Sequence, residues 1–230
     1  GINSYAGTTT IANGTLQIGA DGAGSTSGSL GTGQVVNNAT LRFNRADDIT
    51  VTNSLIGSGS LVLTGAGTVT LTGTKSYTGA TQINGGTLVL GGSTPYNGAG
   101  ALTVNGGNLT LAVGATFASV TQSNSTVSLG SQTLNLFSGN YTLNGGSITG
   151  TGTIDFNNSS LAVNINSASA SIASGVTITS TLGFNSAVNL ILPIVGYRSR
   201  RFLAADGPIH RSDGGWHGRE KQCAKQTAFL

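Results

Sequence analysis

The sequence predicts an all-β chain wound as a parallel β-helix, and three observations predict it. A sixteen-residue phrase occurs twice: Ser4-Tyr-Ala-Gly-Thr-Thr-Thr-Ile-Ala-Asn-Gly-Thr-Leu-Gln-Ile-Gly19 returns as Ser76-Tyr-Thr-Gly-Ala-Thr-Gln-Ile-Asn-Gly-Gly-Thr-Leu-Val-Leu-Gly91, with nine of sixteen positions identical. A recurring strand-turn-strand phrase marks a chain stacked on copies of itself. Short segments alternate apolar and polar residues, and glycine or asparagine separates them. Charged residues make up only 7% of the chain while glycines number 37. When each strand pairs with its equivalent one coil away, like stacks on like, so charge ladders repel and Thr, Ser and Asn ladders do not.

The alternation runs along most of the chain. In Thr68-Val-Thr-Leu-Thr72, Val69 and Leu71 are predicted to point inward and the threonines outward. The same two-residue period occurs in Leu41-Arg-Phe43, Leu61-Val-Leu63, Leu88-Val-Leu90, Leu102-Thr-Val104 and Leu109-Thr-Leu111. It returns in Val127-Ser-Leu129, Leu134-Asn-Leu136, Ile154-Asp-Phe156 and Leu161-Ala-Val-Asn-Ile165. Turn signals fall between them at Asn13-Gly14, Asn84-Gly-Gly86, Asn105-Gly-Gly107 and Asn144-Gly-Gly146. A β-sandwich also accommodates short strands at this spacing; the repeated phrase and the scarcity of charge favour the β-helix. Coils of roughly twenty residues give about ten coils and a rod of roughly 45–50 Å. Residues 92–195 keep the register imperfectly, and Ser93–Gly98 is expected to leave the coil as a loop because Pro95 cannot donate to a ladder.

Charge divides the chain in two. Residues 1–196 hold Arg42, Arg45 and Lys75 against Asp21, Asp47, Asp48 and Asp155. Residues 197–230 hold seven Arg and Lys against three acids, together with His210, His217, Trp216 and Cys223. The overall charge of +3 therefore comes from the tail and implies no nucleic-acid surface on the body. The expected organisation is a β-helix over 1–196 and a basic tail over 197–230 outside the fold, with a functional basic arm as the alternative. Cysteine usage excludes a disulfide framework and a cysteine-ligated zinc site in the body. The longest apolar stretch, Leu190–Val195, is too short to span a bilayer. Because Gly1 opens inside a repeat phrase, the chain reads as a piece of a longer one.

The stretch Gly57–Gly91 runs G-x-G-x-L, then G-x-G-T-x-x-L-x-G, then Y-T-G-x-T-x-I-x-x-G-T-L-x-L. It resembles the autotransporter-associated β-strand repeat, also called the passenger-associated transport repeat, and residues 1–19 look like the second half of another copy. The resemblance implies a passenger of type V secretion in Gram-negative bacteria, mostly a right-handed parallel β-helix shown on or released from the cell surface. It also implies a translocator barrel as partner, absent from this chain, and a role in folding and export. Host-surface or glycan ligands are further expected partners.

Chemistry is sparse. Some β-helices act on acidic polysaccharides, which takes clustered carboxylates or a base beside calcium. Asp47 and Asp155 are 108 residues apart, about five coils or roughly 24 Å along the axis. Asp47 and Asp48 are adjacent and face opposite sides of a strand, while Asp21 and Asp48 fall on neighbouring coils as turn residues. A nucleophilic triad lacks a histidine in the body. Gly73-Thr-Lys-Ser76 lacks the Gly-Lys pair of a phosphate loop and reads as a strand corner. Asn-x-Ser/Thr triplets at Asn13, Asn38, Asn108, Asn124 and Asn140 are expected by composition alone. Tyr5 and Tyr77 read as packing residues, and the outward threonines as an ordinary solvated face. The expectation is a structural segment with no catalytic residue, cofactor or metal, whose open coil ends favour self-association. The alternatives are the scaffold of a polysaccharide-active β-helix enzyme and a binding module using the threonine face.

Overall fold

A computed structural model of the chain describes residues 1–21, 25–157 and 161–179, together with the backbone of 181–184. The expected tail, its boundary at residue 196 and both histidines lie outside these residues. The backbone coils around three faces. Nine parallel strands form the first: Thr15–Ile18, Thr40–Phe43, Ser60–Leu63, Thr81–Ile83, Leu102–Asn105, Val120–Ser123, Tyr141–Leu143, Ala162–Ile165 and Thr181–Phe184. Seven form the second: Ile49–Val51, Thr68–Leu71, Thr87–Leu90, Asn108–Leu111, Ser125–Ser128, Gly146–Thr149 and Ala170–Ile172. The third comes in two runs. Thr9–Ile11, Val35–Asn37 and Leu55–Ile56 make the first, and Tyr96–Asn97, Ala115–Phe117, Thr133–Leu136, Thr153–Phe156 and Thr177–Ile178 the second. Every pairing is parallel, as in Leu41–Leu61–Thr81–Leu102, with partners 20 or 21 residues apart. That is a β-solenoid and excludes the antiparallel sandwich. Among the described residues there is no helix, so none is long and apolar enough to cross a membrane.

The core is a column running along the axis. Ile18, Phe43, Leu63, Ile83 and Val104 stack in register under the first face, and Val69, Leu88, Leu109, Val127 and Ile148 under the second. All ten are buried, as the alternation predicts. Tyr77, Tyr96 and Phe117 add an aromatic stack on three successive coils, with ring centroids 5.0 and 4.7 Å apart.

One expectation needs correction. Ser93–Gly98 does not leave the coil throughout. Residues 92–95 are exposed, but Tyr96 is buried in a strand of the third face and donates its N–H to Gly114 O at 3.0 Å. Pro95 stands one residue ahead of that strand, where its missing N–H costs nothing. The repeat is uneven beyond residue 92, as the sequence predicts: steps along the first face there range from 18 residues (Leu102 to Val120) to 22 (Tyr141 to Val163), while the ladders continue to Phe184. Corner length absorbs the difference.

The repeated phrase occupies two different corners. Its first copy puts Thr9–Ile11 on the third face and Thr15–Ile18 on the first. Its second puts Thr81–Ile83 on the first face and Thr87–Leu90 on the second. The local structure is retained nonetheless. Gly14 and Gly86 turn the corner at φ +73° and +60°, and the tyrosine hydroxyl meets the threonine hydroxyl in both copies, Tyr5–Thr9 at 2.6 Å and Tyr77–Thr81 at 2.8 Å. The phrase therefore specifies a strand-corner-strand unit and not a face.

Candidate functional site

The outer surface of the second face carries two columns made mostly of threonine and serine. Thr68, Thr87, Asn108, Thr126, Ser147 and Ser171 lie in register in one, and Thr50, Thr70, Val89, Thr110, Ser128 and Thr149 in the other. Threonine suits a half-solvated pleated surface, and a hydroxyl column stacks without repulsion. Corner asparagines tie coil to coil. Asn108 Oδ1 accepts the Thr126 N–H at 2.9 Å, and Asn140 Oδ1 the Ala162 N–H at 2.9 Å. These residues of the Asn-x-Ser/Thr triplets thus have a structural use.

The four aspartates do not converge. Asp47 takes both Nε and Nη2 of Arg45, at 2.8 and 2.7 Å, and this hydrogen-bonded guanidinium holds its carboxyl below the usual range. Asp48 accepts the Thr68 N–H of the next coil at 2.8 Å, the same bond that Asn108 makes. Asp21 accepts Gln17 Nε2 at 2.9 Å, and Asp155 accepts the Thr179 hydroxyl at 2.5 Å. Each carboxylate closes a corner or links two coils. Among the described residues no three of His, Cys, Asp and Glu come together.

Three polar positions inside the column escaped the sequence reading. Lys75 is 2% exposed; its ammonium donates to Gly73 O at 2.8 Å and Gly91 O at 2.7 Å, and desolvation lowers its pKa. It stands where the third face is interrupted, held there by one isolated bridge to Leu55. The Gly73–Ser76 segment is thus a corner, as its sequence suggests, but its lysine points inward, where no phosphate reaches it. Thr81 replaces an aliphatic residue between Leu61 and Leu102 and bonds the Tyr77 hydroxyl. Gln122, between Val104 and Leu143, donates to Ser125 O at 2.7 Å and Ser147 O at 2.9 Å and accepts the Tyr141 hydroxyl. It lies beside the tightest corner, where Asn124 alone separates two strands at φ +48°. Gln122 caps the carbonyls there.

A cavity of about 450 Å³ opens at the N-terminal coils, lined by Ile18, Leu30, Phe43, Val51, Arg45 and Asn53 among others. Its Arg45 and Asn53 are already committed. Arg45 donates to Asp47, Gly28 O and Thr26 O, and Asn53 to Gly31 O and Gly33 O. The hydroxyls of Thr26, Ser27, Thr32, Thr50 and Thr52 also line the hollow, but no histidine, cysteine or carboxylate is among its lining residues to start a reaction.

Comparison with known proteins agrees with the repeat. The family model described as Passenger-associated-transport-repeat matches residues 1–18 and 61–90, close to the two segments that carry the motif elements. No curated protein and no solved structure matches the chain. The first matched segment holds the strands Thr9–Ile11 and Thr15–Ile18; the second spans two stacked coils, from the strand Ser60–Leu63 through Thr68–Leu71 and Thr81–Ile83 to Thr87–Leu90. Two segments of the chain therefore match the passenger-associated transport repeat, and both are wound into one β-solenoid.

Proposed function

We propose that this chain is a non-enzymatic structural segment of an autotransporter passenger, one that supports export and folding and holds a more distal region away from a Gram-negative cell surface. One observation carries the reading: the chain's chemistry is spent on stacking. Each of the four body aspartates closes a corner or bridges coils, and the buried Lys75 and Gln122 cap backbone carbonyls. Parallel coils suit export because each coil completes the edge on which the next is laid, so a chain emerging from a pore folds one unit at a time without long loop closures. Absence of cysteine before residue 223 suits the same route, since no disulfide widens the chain in transit.

The test is surface display. A passenger whose own repeat segment is replaced by residues 1–184 is expected to reach the cell surface at the level of the original. Introducing Leu88→Asp, which puts a carboxylate in the column, is expected to cut display several-fold. Equal display with and without the lesion would end the export role. Turnover of polygalacturonate by the purified chain, lost on changing Asp21 or Asp48, would replace the structural reading by the enzymatic one.

A further inference from the structure

The glycines of the coil corners have a direction. At Gly33, Gly65, Gly73, Gly79 and Gly100 a Cβ would collide with a backbone carbonyl oxygen of the coil on the N-terminal side, that of Gly7, Arg45, Asn53, Gly59 and Gly79 respectively. Glycine is needed because the coil beneath approaches too closely for a side chain. Gly7 holds the same place in the first copy of the phrase that Gly79 holds in the second. A Cβ on Gly7 meets nothing within 4 Å, and its φ is not in the left-handed region. Nothing in its surroundings requires a glycine.

Its neighbours share that condition. Tyr77 is 1% exposed and Tyr5 is 45% exposed, although each bonds the threonine four residues on. Ile2 is 89% exposed. Thr9–Ile11 and Thr15–Ile18 are edge strands, each paired on one side only. Thr9 N–H and Ile11 C=O point to the paired side, at 2.9 Å from Gln34 O and Asn38 N, so the intervening Thr10 presents its backbone groups to the open side. No residue from Gly1 to Ile18 is charged, and none is proline, so the edge carries no device against pairing.

We infer that the edge formed by Tyr5–Ile18 is a receptor for one further coil of this same repeat, laid in parallel register, with Gly7 receiving its backbone carbonyl. The second copy shows what such a coil is made of. Beneath Gly79, Thr81 and Ile83 lie Gly59, Leu61 and Leu63, and beneath Thr87, Leu88 and Leu90 lie Thr68, Val69 and Leu71. The occupant is a G-x-L-x-L segment followed by T-V-x-L, continuing the interface that already joins the third and fourth coils. This edge differs from the hydroxyl faces and the N-terminal hollow in one respect: the chain contains a second copy of it with the partner in place.

The test uses the whole chain and a version with residues 53–72 duplicated directly ahead of Gly1, which preserves the 20-residue step. A control carries those residues in scrambled order. The true duplication is expected to raise the Tm over the scrambled control and to slow nitration of Tyr5 several-fold. Gly7→Ala is expected to leave the Tm of the original chain unchanged or slightly higher, and to lower that of the duplicated chain as Gly79→Ala does in either. Three results would overturn the inference. They are a Tm no higher than the scrambled control, Gly7→Ala remaining harmless after duplication, and self-association of the original chain that Gly7→Ala abolishes. The last would give the edge to a second copy of the chain.

Discussion

Lys75 and the buried tyrosines make opposite statements about alkaline stability. Burial lowers the Lys75 pKa below its usual 10.5, so between the folded and unfolded values the unfolded chain holds more protons and stability rises with pH. Burial raises the tyrosines; Tyr96 is pushed up to about 12, and Tyr77 and Tyr141 also rise strongly. Above about pH 10 the unfolded chain releases phenolic protons that the folded one keeps, and stability falls. Three groups oppose one, so the midpoint of urea unfolding is expected to climb toward pH 10 and then drop steeply. The variant Lys75→Met is expected to lose the climb and keep the drop. A drop that begins below pH 9, or a variant with an unchanged climb, would refute the assignment. The two copies of the phrase allow a second comparison. Thr81→Val removes a hydrogen-bond partner from the hydroxyl of a fully buried tyrosine and is expected to cost about 1–2 kcal/mol. Thr9→Val breaks the same bond at an exposed edge, where water replaces it, and is expected to cost less than about 0.5 kcal/mol. Equal losses in chemical denaturation would mean that the bond, and not its burial, decides.

At the level of the strand, inside and outside separate cleanly. Leu109 is buried in the middle of the second face, flanked in register by Leu88 and Val127, and Thr110 beside it faces out. Leu109→Ala opens a cavity that rigid ladders cannot close and is expected to cost about 2–5 kcal/mol, whereas Thr110→Ala should stay within about 0.5. Comparable losses would show that the ladder and not the column carries stability. These strands were legible in the sequence because alternation is a local property. Val69, Leu71, Leu88 and Leu90 follow from the two-residue period alone. The strand at Tyr96 was hidden because Pro95 excludes a ladder position for itself only, and the sequence does not show which side of it rejoins the coil. Lys75 and Gln122 were hidden for another reason. Their interior places depend on where a corner shortens or a face breaks, and those are properties of two stacked coils. Rotation of the phrase by one face was invisible too, since its residues encode a corner and not the face on which that corner falls.

For the molecule as a whole, the consequence is near-one-dimensional cooperativity. Each coil touches chiefly the coils above and below it, so stability is a chain of neighbour couplings and the blocks on either side of a weak coupling can separate. The interruption of the third face at Lys75 does not sever the stack, because the first face runs unbroken through it and the aromatic stack from Tyr77 to Phe117 begins there. A lesion inside a coil with three intact faces acts differently. Leu109→Asp places a carboxylate in the middle of the column, where neither neighbouring coil offers it a cation in register. In guanidinium the unaltered chain is expected to unfold in one transition. The variant is expected to unfold in two, each with a smaller m-value, because the coils before and after residue 109 no longer stabilise each other. Two probes can separate the blocks: phenylalanine replaced by tryptophan at Phe43 reports the first, and at Phe137 the second. A single transition with the full m-value in the variant would show that the sheets transmit cooperativity past a broken core, and the description as a chain of neighbour couplings would then be wrong.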